Sequence, residues 1–138
     1  MKALVYHRYG GPEQLQVAEV PKPQPRKGEI LVRVRACGLN SWDWDMLRGR
    51  PAFMRMAHWR RPQFPILGAD VAGEVVALGE GVSGWQPGDR VLADLSADHW
   101  GGLAEFATGK AESWARLPEG LSFEAAAAEP QAGTPALP

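Results

Sequence analysis

Cysteine, net charge and long apolar runs are what this sequence has least of. Its 138 residues include a single cysteine, Cys37, which excludes an internal disulfide and a multi-cysteine zinc site. The formal net charge of −1 gives no global attraction to nucleic acid or to anionic membranes. No apolar stretch is long enough to span a bilayer, and the start of the chain has no signal-peptide h-region. We therefore expect a cytoplasmic location.

Turn-forming residues, by contrast, are abundant. The chain has 16 glycines and 12 prolines, which favours short strands joined by turns over long helices. Alternating apolar and polar residues predict a strand over 29–37. Further strands are predicted over 2–7, 15–20, 68–79, 89–95, 101–108 and 111–117. Short helices are predicted over 41–49, with Ser41 as N-cap, and from Ser122 onward. This pattern is typical of a β-barrel or sandwich.

Several short motifs follow one another in a recognisable order. They are Gly-Glu-Ile-Leu-Val-Arg-Val at 28–34, Ala-Cys-Gly-Leu-Asn-Ser-Trp-Asp at 36–43, Pro-Ile-Leu-Gly-Ala-Asp at 65–70, Pro-Gly-Asp-Arg-Val at 87–91 and Gly-Gly-Leu-Ala-Glu-Phe at 101–106. Their order and spacing resemble the N-terminal, GroES-like domain of medium-chain dehydrogenases/reductases. The resemblance covers nearly the whole chain. It implies a mainly β fold, a GroES-like partly open β-barrel with short helices.

The resemblance also implies a domain organisation. Residues 1–128 are expected to form the GroES-like (alcohol dehydrogenase N-terminal-like) domain and residues 129–138 an irregular tail. In the family a nucleotide-binding domain follows, and these 138 residues contain no Gly-x-Gly-x-x-Gly loop after a strand. The hypothesis is therefore a chain truncated before that domain and inactive alone. The absent domain or a partner chain would bring NADPH or NADH, so no cofactor is expected on this chain by itself.

The positions that bind catalytic zinc in some relatives carry other residues here. Those relatives use a cysteine and a His-Glu pair, where this sequence has Asn40 and Ala69-Asp70. Neither an amide nor a methyl group offers the thiolate or imidazole that zinc prefers. Cys37 lies three residues too early and is expected to be a small buried hydrophobe. The sequence thus resembles the zinc-independent branch, which includes quinone oxidoreductases and enoyl reductases, and no metal site is predicted.

Asn40 and Asp43 match the Asn-x-x-Asp of that branch. The Asn40 amide is the candidate catalytic group, because it can donate a hydrogen bond to a carbonyl as hydride reaches the conjugate carbon. Asp43 is a candidate substrate-binding residue, although orienting the loop or capping the helix is the role we favour for it. A purely structural turn is the alternative for Asn40. Asp45 stands where relatives often have Tyr or Asn, and a carboxylate is a poor donor unless its pKa is raised.

Aromatic residues complete the candidate substrate site. Trp42 is expected in the cleft wall because it lies beside Asn40. Phe53 and Trp59 lie in the arginine-rich segment 48–64, which is either a lid over the substrate or a solvated amphipathic helix. Nucleic-acid binding by this segment is disfavoured by the acidic balance elsewhere. Thr134 is the candidate cofactor-binding residue, one place early for a threonine that relatives set near the nicotinamide.

Two functional hypotheses follow from the sequence. The first is the substrate-side domain of a zinc-independent, NAD(P)H-dependent oxidoreductase that acts on a small-molecule carbonyl such as a quinone or enone. The second is a non-catalytic barrel, either a binding or assembly module or an inactive fragment. If a second domain is missing, the apolar face that it would cover is expected to promote self-association into a homo-oligomer, whereas a clean monomer would favour the self-sufficient module. No nucleic-acid or membrane partner is expected.

Overall fold

The computed structural model describes residues 1–50 and 61–133 of the chain. Its strands are β1 (Lys2–Val5), β2 (Gln16–Glu19), β3 (Glu29–Cys37), β4 (Asp70–Leu78), β5 (Arg90–Asp94), β6 (Phe106–Lys110) and β7 (Trp114–Arg116). Its helices are α1 (Ser41–Arg48), α2 (Phe123–Ala126) and α3 (Pro130–Gly133), with short 3-10 turns at Pro12–Gln14 and Ala111–Ser113. The predicted mainly β fold with short helices is confirmed.

The strands form two open antiparallel sheets. β1 and β2 make a two-stranded ribbon, and the larger sheet has the order β6-β3-β4-β5-β7. Isolated bridges from Ala3 to Ala104 and from Val5 to Ile66 join the ribbon to the loops beside the larger sheet. These bridges bring the ribbon alongside the larger sheet, which agrees with a partly open barrel.

β-branched side chains fill the core of the larger sheet. The central cluster includes Ile30 and Val32 from β3 with Val71 and Val75 from β4, all essentially inaccessible to solvent. Branched side chains of this kind pack well on a pleated surface. A second cluster packs Leu47 of α1 with Tyr6, which follows β1, and with Leu67 and Ala69, which precede β4. These two clusters fix α1 and the end of β3 relative to β4.

The pairing of β3 with β4 directs the chain toward the end of β4. The register shifts between Val34 and Ala36, so the last residue of β3 pairs with Val71. The next residue, Gly38, donates its N–H to the carbonyl of Asp70 at 2.9 Å. Such an irregularity bends a strand locally and re-aims the residues that follow it. As a result, residues 38–40 lie beside the first residue of β4.

The structure corrects three local expectations. α1 begins with Asn40 as its N-cap rather than Ser41, because Asn40 keeps the extended backbone (φ −119°) and Ser41 is already helical. The strand predicted over 101–108 begins only at Phe106, since Trp100 and Gly101 adopt positive φ angles that break an extended run. The tail expected to be irregular contains the helical turn α3, and residues 134–138 lie outside the described residues.

The length and hydropathy of the helices decide whether any of them could span a membrane. Within residues 1–50 and 61–133, every helix is too short or too polar to cross a bilayer.

Candidate functional site

Asn40 stands at the junction of β3 and α1. Its backbone N–H donates to Oδ2 of Asp43 at 2.9 Å, the reciprocal arrangement typical of a capping box. α1 then runs to Arg48 and ends at Gly49, whose left-handed conformation (φ 60°) closes it. Asn40 is therefore held at a fixed point by the start of the helix: its side-chain oxygen accepts from the Asp43 backbone N–H in this capping box, and its Nδ2 group is left for other contacts.

Asp43 is buried and its carboxylate is fully engaged. The residue is 5% exposed. Oδ2 accepts from the Asn40 backbone, and Oδ1 accepts from the N–H of Gly68 at 2.8 Å. Burial raises the pKa of the Asp43 carboxyl, while these backbone hydrogen bonds act against the rise. The contacts fit the loop-orienting and helix-capping role favoured for Asp43 in the sequence.

Position 68 accommodates glycine far better than any other residue type. The φ angle of Gly68 is +92°, a conformation that L side chains rarely adopt. A Cβ atom there would meet Sγ of Cys37 at 2.6 Å and the backbone nitrogen of Leu103 at 2.7 Å. Gly68 thus lets its N–H reach Asp43 while the chain passes close to β3.

Asp70 is the residue whose role the sequence did not reveal. It begins β4, is 1% exposed, and its Oδ2 accepts from Nδ2 of Asn40 at 2.9 Å and from the backbone N–H of Gln131 at 3.1 Å. Its Oδ1 has no hydrogen-bond partner among the described residues. Burial raises the pKa of the Asp70 carboxyl, and the nearby carboxyls of Asp94 and Asp43 act in the same direction. The available signal was a lone acid inside the apolar run 66–73.

An open cleft of about 600 Å³, here called the Asn40 cleft, lies over these residues. Its lining combines amide, hydroxyl and carboxyl groups with apolar surface, in the size range of small-molecule sites. The lining residues are Asn40, Ser41, Trp42, Asp94, Ser96, Ala97, Pro130, Gln131 and Ala132. Trp42 is 54% exposed, so its indole offers an apolar face to whatever enters.

The structure brings only part of the predicted site together. Asn40 and Trp42 line the Asn40 cleft, whereas Asp43 is buried and Asp45 does not line it. The half-buried Asp45 instead contributes to the end of α1, where its carbonyl accepts from the N–H of Arg50.

Three of the predicted site residues, Phe53, Trp59 and Thr134, lie outside the described residues. The predictions made for them therefore stay predictions. The sequence, in turn, missed Asp94, Ser96 and Gln131, which reach the cleft from distant parts of the chain. Nothing in their local sequence marks them, because only the tertiary fold brings them to Asn40.

Two observations on the described residues bear on coenzyme and metal binding. Every strand pairing recorded within 1–50 and 61–133 is antiparallel, whereas a dinucleotide pyrophosphate site is built on parallel strands with a glycine turn and a helix N-terminus. In the same part of the chain no three His, Cys, Asp or Glu side chains are grouped so as to hold a metal. Burial raises the pKa of the Cys37 thiol to about 12, which suits a packed hydrophobe.

Comparison with known proteins gives a consistent result. Residues 26–119 match the family model of the alcohol dehydrogenase GroES-like domain. The chain is 40% identical, over 99% of its length, to a chloroplast envelope quinone oxidoreductase homolog of Arabidopsis thaliana, of which it covers 41%.

Solved structures show the same likeness. A quinone oxidoreductase from Coxiella burnetii has a TM-score of 0.85 and 30% identity, covering 96% of this chain and 42% of that one. Escherichia coli quinone oxidoreductase complexed with NADPH has a TM-score of 0.78 and 34% identity, covering 92% of this chain and 36% of that one. The chain spans about two fifths of the length of the curated relatives that it matches first.

Proposed function

The chain belongs to the alcohol dehydrogenase GroES-like domain family, and we propose that it forms the substrate-side domain of a zinc-independent, NAD(P)H-dependent oxidoreductase that reduces quinones or enones. The observation that carries the proposal is the Asn40 amide, which lines an open cleft and is anchored from behind by a buried acid. The relatives named above as quinone oxidoreductases support the substrate class.

Asn40 would act on the substrate oxygen. One Nδ2 hydrogen is donated to Asp70, and the amide carries a second. That second hydrogen can bond to a quinone or enone carbonyl and stabilise the negative charge that develops there during reduction. Trp42 would hold the flat substrate against its exposed indole face. Asp43 would serve indirectly, by fixing the loop that carries Asn40.

The nicotinamide coenzyme supplies the hydride in this class of reaction. Because the described residues offer no dinucleotide site, we assign coenzyme binding to a nucleotide-binding domain, either in a longer form of this protein or in a partner chain. Asn40 and Ala69 at the positions of zinc ligands support a reaction without zinc. A cytoplasmic location remains part of the proposal.

The test is to complete the site. We would fuse residues 1–133 to the nucleotide-binding domain of a relative such as the Escherichia coli quinone oxidoreductase, and measure NADPH oxidation with a quinone and an enone. We expect turnover by the fusion and none by either half alone. Hydride transfer needs reacting atoms roughly 3–3.5 Å apart, and one domain supplies only one side of that contact.

Two outcomes would count against the proposal. Turnover by residues 1–138 alone would show that no second domain is needed. A folded fusion that binds NADPH but reduces neither substrate would favour the non-catalytic binding module.

A further inference from the structure

Asp70 lies at a buried position where an acidic side chain lowers the stability of the fold. Its neighbours, Ala69 before it and Val71 after it, are fully buried, and the residue itself is 1% exposed. One carboxyl oxygen accepts two hydrogen bonds, and the other has no partner among the described residues. An unsatisfied buried polar atom is unfavourable, so an acid at this position calls for a compensating role.

The two hydrogen bonds made by Asp70 join separate walls of the Asn40 cleft. Asn40 comes from the loop after β3, and Gln131 comes from α3, which lies 61 residues beyond Asp70. Both donors line the cleft, while Asp70 lies behind them. Asp70 therefore fastens the start of α1 to the end of the described chain.

This contact and the capping box together fix which end of the Asn40 amide faces Asp70, because the amide oxygen accepts from the Asp43 backbone N–H and the NH₂ group donates to Asp70. An amide can present either its NH₂ group or its oxygen, and the two ends have nearly the same shape. Oδ2 of Asp70 already accepts from the Gln131 N–H, so it presents an acceptor to Asn40 and selects the NH₂ end. One Nδ2 hydrogen is thereby used, and the other is left for a different acceptor.

We propose that Asp70 is a positioning residue, which orients the Asn40 amide so that one Nδ2 hydrogen is held ready for a substrate carbonyl oxygen. This inference rests on the proposed function for its substrate, but the orientation itself is a property of the isolated chain. The ionisable groups that act on Asp70 are the carboxyls of Asp94 on β5 and Asp43 on α1, and Asp70 in turn acts electrostatically on the thiol of Cys37 on β3. Because these neighbours are acids, the position does not depend on a negative charge. An asparagine at position 70, which is neutral and has the same shape, should therefore orient Asn40 as Asp70 does.

The first experiment reads the orientation directly. Side-chain amide NMR signals of Asn40 are compared in the wild type, Asp70→Asn, Asp70→Leu and the control Glu74→Gln, which alters a partly exposed acid of the same strand paired with Arg35. We expect slow hydrogen exchange at one Asn40 Nδ2 position in the wild type, Asp70→Asn and Glu74→Gln. Asp70→Leu removes the acceptor, so exchange there should speed up about tenfold or more.

The wild-type measurement alone can overturn the inference, even if Asp70→Leu does not fold. Fast exchange at both Nδ2 positions in the wild type would show that the amide is not held. Equal protection in a folded Asp70→Leu variant would show that Asp70 is not what holds it.

The second experiment separates this inference from the proposed function. In the fusion, we expect Asp70→Leu to lower kcat about tenfold with KM nearly unchanged, and Asp70→Asn to stay within about threefold of wild type. If Asn40→Ala lowers kcat and Asp70→Leu does not, the positioning role is wrong and the proposed function stands. If Asn40→Ala leaves kcat unchanged, the catalytic role given to Asn40 is wrong, and the NMR comparison still decides the orientation; a folded fusion without turnover would instead refute the proposed function.

Discussion

Two buried aspartates, Asp43 and Asp70, hold different groups beside the Asn40 cleft. Asp43 satisfies backbone N–H groups on both sides of the loop, and Asp70 accepts from one side chain and one backbone group. Both carboxyls have a pKa raised by burial. Replacing the two residues should therefore have different effects. Asp43 holds backbone N–H groups, whereas Asp70 holds the side-chain amide of the candidate catalytic residue Asn40.

Replacing Asp43 by alanine should destabilise the fold strongly. The change would leave the N–H groups of Asn40 and Gly68 without their acceptor, at about 1–3 kcal/mol for each buried donor that stays unsatisfied. We expect a loss of about 2–4 kcal/mol in the free energy of unfolding, measured by urea titration. Asp45→Ala on the same helix is the matched control and should cost less than about 1 kcal/mol. Equal losses for the two variants would contradict the role given to Asp43.

Asp70 should make the stability of the chain depend on pH in a defined direction. Its pKa in the folded state is raised by burial, whereas in the unfolded chain it should lie near ~3.9. The folded state therefore binds the proton more tightly. The protonated Asp70 therefore adds to the free energy of unfolding. This contribution is complete below the pKa that Asp70 has in the unfolded chain, and it is lost as the pH rises through the pKa that Asp70 has in the folded chain.

The variant Asp70→Asn removes that titration. We expect the unfolding free energy of the variant, minus that of the wild type, to increase from about pH 3.5 to pH 7. Asp43 titrates in the same direction but is present in both proteins, so the difference reports Asp70 together with its electrostatic coupling to Asp43 and Asp94. A difference that stays constant or decreases over this range would contradict a raised pKa at Asp70.

Cys37 should be unreactive in the folded chain. Burial raises the pKa of its thiol to about 12, and the thiolate is the form that attacks a disulfide reagent. At pH 8 we expect labelling of the folded protein to be at least about a hundredfold slower than labelling in urea. The rate is followed by the absorbance of the released thiol. Comparable rates in buffer and in urea would mean that Cys37 is accessible.

At the level of secondary structure, the sequence was most informative where the pattern is local. β3 spans the predicted 29–37, although its burial alternates only in part: residues 29–32 are all buried, and exposed positions begin at Arg33. The helix start was misplaced by one residue, since Asn40 and Ser41 are both good N-caps and only the tertiary contacts of Asn40 decide between them. The cleft residues from β5 and α3 could not be predicted, because their proximity to Asn40 depends on long-range pairing.

The turn at Gly68 offers a test of how tightly the loops are packed. Gly68 and Gly88 have nearly equal φ angles of +92° and +95°, but a Cβ atom would meet other atoms within 4 Å only at Gly68 and not at Gly88. Gly88→Ala should therefore cost about 1–2 kcal/mol from the backbone conformation alone. Gly68→Ala should cost about 1–3 kcal/mol more from overpacking against Cys37 and Leu103. Equal losses in thermal or urea unfolding would contradict the close approach.

Under the proposed function, the chain as a whole provides one side of a site. The Asn40 cleft is open, and the exposed side chains of Leu39 and Trp42 lie at or beside it. The chain covers about two fifths of the relatives it resembles, and one solved relative is described with NADPH bound. The family could be identified from ordered motifs in the sequence, whereas the anchoring of Asn40 by Asp70 required the structure.

The most direct test of the account is the kcat of the fusion enzyme with and without the Asn40 amide. We predict that Asn40→Ala and Asn40→Ser each lower kcat for quinone reduction about 100-fold, as expected when one donor to a developing oxyanion is removed. Serine keeps a good N-cap, so a shared loss would reflect the missing amide rather than a disordered helix. Ser41→Ala, a neighbouring change in the same cleft, should leave kcat within about threefold. An unchanged kcat in folded Asn40 variants would contradict the account.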